Sequence, residues 1–138
     1  MGTNFYLATK NRDLRDEYFG NNFILTDIPD WGYEIHIAKT SCGWKPLFQA
    51  HPDAFKSVAE LKALYESGGF VIYDEYQKIY NWESFVERVV NWNKDPFKLH
   101  DGRLGPISHF DKDVLDPYWS KYYYKDPDGY EFVTRDFS

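Results

Sequence analysis

The stretch that decides the fold reads Glu34-Ile35-His36-Ile37-Ala38-Lys39-Thr40-Ser41-Cys42-Gly43-Trp44. Ile35 and Ile37 alternate with His36, the period-two pattern of a strand with one buried face. Lys39 to Gly43 then bring together small and donor-bearing residues, which predicts a turn, and Trp44 closes it. A strand over residues 33–38 and another over 44–50 therefore pair as a hairpin. Pro46 points to an edge position or a bulge in the second of these.

Outward from this block, residues 4–8 predict a first strand. Residues 10–32 are charged and turn-rich. They form an irregular insertion with room for a short helix near 13–19 and a strand near 23–26. Residues 57–67 carry the clearest helix: Ser57 and Glu60 have capping-box spacing, Val58, Leu61, Leu64 and Tyr65 share a face, and Gly68 and Gly69 stop it. A strand over 70–73, a turn over 74–77 and a returning strand over 78–80 follow. Asn81 caps a second helix over 82–93, with Phe85, Val86, Val89 and Val90 or Trp92 inward, and Pro96 ends it. Residues 94–117 are loop-rich, and 118–124 are densely aromatic. Asp126-Pro127-Asp128-Gly129 is a turn signal before a strand over 130–134. The sum is one α+β domain over residues 1–138, a mainly antiparallel sheet with two helices packed on one face.

The chain is 138 residues long with a formal net charge of -6, so it lacks the generalised basic footprint of a nucleic-acid binder and favours basic partners. Its aromatic share of 20% supplies rings for a core and also for an interface. Cys42 is the one cysteine, which excludes an internal disulfide and a multi-cysteine zinc site and fits a reducing compartment. No apolar run is long enough for a bilayer span and no signal-peptide pattern opens the chain, so no membrane role is expected.

Four blocks occur together: Met1-Gly2-Thr3-Asn4-Phe5-Tyr6, the His36 to Trp44 block, Asp74-Glu75-Tyr76 and the ending Phe137-Ser138. In this combination the chain resembles a family of small tailed-phage and prophage proteins without an assigned activity. Its members open Met-Gly-Thr-Asn-Phe-Tyr and carry a block close to His-Ile-Gly-Lys-Ser-Ser-x-Gly-Trp. Here Ala38 replaces a Gly, Thr40 a Ser, and Gln77 a Gly. Many relatives place a Cys-x-x-Cys pair before the His block, whereas residues 10–32 of this chain hold no cysteine. The resemblance implies a phage setting, action in the host cytoplasm and no metal in this member.

Two candidate surfaces follow. The first is a ligand site of Tyr6, His36, Lys39, Ser41, Trp44 and Glu75. Lys39, Ser41 and turn amides would hold an anion such as phosphate, Trp44 would stack on a base, His36 would act as base or donor, and Glu75 as acid or base. The Walker A order is absent, and a plain hairpin accounts for the same residues. The second is a partner-binding surface of Asp113, Asp116, Tyr118, Trp119, Tyr122, Tyr124 and Asp126, rings rimmed by acids that fit a basic protein groove. Alternate rings along 122–124 cannot all face one core.

The remaining signals are weaker. Asp74 and Glu75 read as a solvated turn, and His51, His100 and His109 as exposed loop residues. Cys42 with His36 lacks a defined oriented base. The expectation is therefore a non-enzymatic, phage-encoded acidic binding protein with no catalytic residue, metal or cofactor. It would dock on a host protein, a nucleic-acid-binding effector such as a defence nuclease, in the manner of an anti-CRISPR protein, with no direct contact to nucleic acid. A small-ligand or nucleotide-binding domain at residues 36–44 is the alternative, and a virion-assembly accessory the third. The sequence leaves the oligomeric state open.

Overall fold

The computed structural model describes residues 2–26, 32–99, 102–111, 117–118 and 120–135. Its strands are β1 (Gly2–Thr9), β2 (Ile24–Leu25), β3 (Tyr33–Ser41), β4 (Leu47–Gln49), β5 (Val71–Asp74), β6 (Ile79–Tyr80), β7 (Phe97–Lys98), β8 (Leu104–Gly105), β9 (Tyr123–Lys125) and β10 (Glu131–Val133). Among the described residues, seven of them lie in the order β6-β5-β1-β3-β4-β10-β9, with β2 also paired to β3; β7 and β8 form a separate pair. Every neighbour pair in the main sheet is antiparallel except β4 with β10. The α+β class and the mainly antiparallel sheet are as read from the sequence.

The helices are α1 (Arg12–Leu14, continued by a π-turn Arg15–Phe19), α2 (Val58–Glu66) and α3 (Trp82–Phe85, continued by a π-turn Val86–Val90). Ser57 Oγ accepts from the Glu60 amide at 3.0 Å, and Asn81 and Ser84 cap α3 reciprocally. Phe19, Leu61, Leu64, Phe85 and Val89 join Phe5, Leu7, Ile35, Ala38, Phe48, Ile72 and Phe132 of the sheet in one apolar cluster. All three helices thus cover the same face. Residues 10–32 are more than an insertion, because Phe19 from that segment sits in this core, 1% exposed.

β3 runs on to Ser41, so Lys39, Thr40 and Ser41 are strand and the turn is confined to the residues after them. What extends it is a bulge. Phe5 pairs with Ala38 and Tyr6 with His36, which leaves Ile37 as an extra residue in β3. Ile37 and Ala38 are both fully buried. The bulge shifts the side-chain alternation by one, so His36 and Lys39, three apart, share the face away from the helices. β4 lies between β3 and β10 rather than at an edge, and Pro46 precedes it, so its missing N–H interrupts no ladder.

Asp126, read above as facing a partner, is 6% exposed. Its carboxylate accepts from the Val58 amide at 2.9 Å at the head of α2, and from the Asp128 and Tyr130 amides at 3.0 and 2.8 Å. It ties the β9–β10 turn to α2. Asp126→Ala leaves three amides without this acceptor and is expected to cost roughly 2–4 kcal/mol, with Asp126→Asn costing less; urea unfolding measures both.

Asp74 is likewise no solvated turn residue. It is 4% exposed and accepts from the Tyr76 and Lys78 amides and from Tyr80 Oη at 2.8 Å. Burial and then the Asp74 carboxylate push the Tyr80 phenol up to about 12. An unfolded phenol titrates near ~10, so this contribution is complete below pH ~10 and is lost as pH rises toward ~12. Stability should fall across that window, and Tyr80→Phe should flatten the fall in unfolding curves recorded from pH 9 to 12.

Candidate functional site

The face of the sheet opposite the helices carries the candidate ligand residues in transverse rows. Cross-strand pairing sets Ile79, Tyr73, Tyr6 and His36 in one row, and Ile24, Glu34, Ala8 and Val71 in the next. Asn4 stands opposite Lys39, and Gly2 opposite Ser41. Asn4 was not singled out in the sequence, yet it links two residues that were. Its side chain lies 2.9 Å from His36 Nε2 and donates to Glu75 Oε1 at 3.5 Å, while its backbone N–H donates to the same oxygen at 2.7 Å. The signal for it lay in its even spacing from Tyr6 along β1. His51 adds a further tie, donating from Nε2 to the His36 carbonyl at 2.6 Å, so it is not a plain exposed loop histidine.

The six candidate residues do not share one cavity. Tyr6 and Glu75 line a hollow of about 190 Å³ with Ile24, Glu34, Tyr73, Asp74 and Gln77. The Tyr6 and Tyr73 rings lie 5.6 Å apart, tilted by 34°, and the Tyr6 ring is also 5.6 Å from the His36 ring. Burial, then the Glu34 and Glu75 carboxylates, hold the Tyr6 phenol above its ordinary pKa. No lysine or arginine lines this hollow among the described residues.

Lys39, Ser41 and Trp44 line a second hollow of about 300 Å³ with Lys45, Leu47, His109 and Tyr123. Trp44 stacks on His109 at 5.0 Å and 20°, so one face of the indole is already covered. His109 Nε2 donates to the Lys45 carbonyl at 3.0 Å, and burial lowers the pKa of this ring against the pull of that bond and of Glu131. The two amides that follow the turn are engaged: Trp44 N–H donates to the Ser41 carbonyl at 3.1 Å and Lys45 N–H to the Ile107 carbonyl at 3.0 Å.

The C-terminal surface assembles differently from its sequence reading. Asp113, Asp116 and Trp119 lie outside the described residues, as does His100. Tyr118 is 64% exposed, with Lys121 Nζ 5.0 Å from its ring centre. Tyr122 is half-buried, with Lys121 and Arg135 over its ring. Tyr124 turns inward, stacked on Phe132 at 5.3 Å and donating to the Lys56 carbonyl at 2.6 Å; burial takes its phenol up to about 12. Tyr123 points to the opposite face, as the alternation argument requires.

Cys42 is exposed in the turn, and no group of three or more metal-ligating side chains forms among the described residues. No described helix is long and apolar enough to cross a membrane. No family model matches the chain, and no curated protein or solved structure matches it.

The Tyr6 environment gives a direct check. Glu75→Gln keeps the acceptor for Asn4 but removes a charge, so the Tyr6 phenol should titrate at lower pH, moving back toward its ordinary value. The ¹³Cζ shift of labelled tyrosine, followed with pH in both proteins, reads this.

Proposed function

We propose that the protein is a non-enzymatic, phage-encoded binding protein that acts in the host cytoplasm by docking on a basic, nucleic-acid-binding host protein, a defence effector of the kind anti-CRISPR proteins oppose. The observation that carries this reading is the acid-lined hollow around Tyr6 and Tyr73. The exposed Glu75 borders it with the buried Glu34 and Asp74 behind, and Ile24 and Ile79, 61% and 57% exposed, stand on the same sheet face. Tyr76, 68% exposed, adds a ring at the adjoining turn. The half-buried Tyr6 ring beside the exposed Glu75 carboxylate suits an arginine or lysine side chain, which gains from the ring quadrupole and the negative charge together. Exposed apolar side chains beside such a pocket supply the desolvated contact that interfaces depend on. The net charge of -6 supports a basic partner and weighs against direct nucleic-acid binding.

The docking surface in this proposal lies at the β2 and β5–β6 end of the sheet, because Asp126 and Tyr124 of the C-terminal set are committed inside the fold. The full chain, immobilised and exposed to bacterial host lysate, should retain a basic protein that is released by raised salt and displaced by excess nucleic acid. Ile79→Asp combined with Glu75→Gln should weaken that retention about tenfold or more, equivalent to at least ~1.4 kcal/mol. Retention of no such protein at low salt, or equal retention by the double variant, overturns the proposal.

A further inference from the structure

The second hollow has the opposite chemical character, and the docking reading makes no use of it. Lys39, Ser41, Trp44, Lys45, Leu47, His109 and Tyr123 line it, two ammonium groups and two hydroxyls with no carboxylate among the described lining residues. In a chain with a net charge of -6, that local excess of cations is a departure from the surrounding surface. We infer that this hollow is an anion site for a small phosphate-bearing ligand, with the phosphate between Lys39, Lys45 and the Ser41 hydroxyl and any organic part against Tyr123 and the Trp44–His109 pair.

The fold builds the site in three ways. The Ile37 bulge turns Lys39 onto this face, since unbroken alternation from the buried Ile35 would send it toward the core. Gly2 sits opposite Ser41, and a Cβ there would lie 2.8 Å from Lys39 Cε and 3.0 Å from Ser41 Oγ; the bare glycine leaves both side chains their room. The residue 106–111 segment closes the far wall. Ile107 bonds to Gly43 and Lys45 through the backbone, and Glu131 holds the segment by accepting from Ser108 Oγ at 2.5 Å and from the His109 amide at 2.7 Å. The Glu131 carboxylate thus lies against the His109 backbone. It is 2% exposed, bonded to those two donors, and lines the neighbouring cleft on the α3 side instead. Lys125, on the same sheet face opposite Glu131, carries its ammonium over the Phe110 ring at 5.2 Å. Lysines recognise phosphate as point charges and need no fixed fork, which suits two flexible side chains at the mouth of an open hollow. The Trp44 and Lys45 amides are bonded within the fold, so the lysine and serine side chains carry the proposed contact.

Amide-resolved NMR titration of the full chain tests this, at constant pH and ionic strength, with inorganic phosphate, pyrophosphate and a nucleoside monophosphate. Saturable shifts are expected at Ser41, Trp44, Lys45, His109 and the Trp44 indole. Lys39→Met with Lys45→Met retains the side-chain stems and should weaken binding at least about tenfold. Glu75→Gln, in the other hollow, should leave it unchanged. Tighter binding of the nucleotide than of phosphate identifies a ring-bearing ester as the ligand; equal binding identifies the free anion. No saturable shift with any of the three probes overturns the inference. So does undiminished binding by a double variant whose melting temperature matches that of the parent.

Discussion

One extra residue in the central strand governs what this protein presents to its surroundings. β3 is flanked by β1 on one side and by β2 and β4 on the other, so any change in its register reaches the whole sheet. Without the bulge at Ile37, a strict alternation would place Lys39 with Ile35 and Ile37 against the apolar cluster, at the cost of burying an ammonium without a partner. With it, Ile37 and Ala38 both fill the core beside Phe5, and His36, Lys39 and Ser41 all face outward. A single backbone irregularity thus satisfies the core and assembles the candidate face at once. Bulges next to sites re-aim side chains in this way.

Part of the acidic composition has a structural rather than an electrostatic role. Asp74, Asp126 and Glu131 are each nearly inaccessible, and each gathers two or three donors from a turn or loop. A carboxylate buried with that many charge-assisted bonds fixes the segments it touches far more firmly than an exposed ion pair would. The consequence for function is that net charge overstates what a partner meets. Glu34 is likewise buried, at 7% exposed, so of the acids around the Tyr6 hollow it is Glu75 that stands exposed beside the ring, and that is where a basic side chain has most to gain.

The elements with strong local codes were legible in the sequence. Ser57 and Glu60 announced α2, Asn81 announced α3, and the Asp-Pro-Asp-Gly turn placed the last hairpin. The end of β3 was not, because Lys39, Thr40 and Ser41 carry turn-like chemistry while the sheet holds them as strand through their partners Asn4, Thr3 and Gly2. The adjacent apolar pair Ile37-Ala38 was the available sign of a bulge. The inward roles of Asp74 and Asp126 depend on contacts with Tyr80 and Val58, and side-chain type alone gives no information on such pairings. The candidate ligand residues read as one site, and the structure distributes them between two hollows. Their separation into two depends on how the Asn4 row divides the face, and Asn4 looked unremarkable as a letter in a strand.

The arrangement of this face suits the recognition role proposed for it. Two hollows of opposite sign flank the His36–Asn4–Glu75 chain of contacts. In that chain Asn4 stands between the imidazole and the carboxylate, so the two groups are held apart rather than coupled as an acid and base would be. The exposed Cys42 thiol sits in the turn beyond Ser41, and the Ser41 hydroxyl has Lys39 and Lys45 rather than an imidazole lining its hollow besides the pinned His109 ring. Shape and charge on this surface are set by sheet register and fixed by buried bonds. A face set by register and buried bonds in this way leaves less to order when a partner binds, which suits the proposed docking.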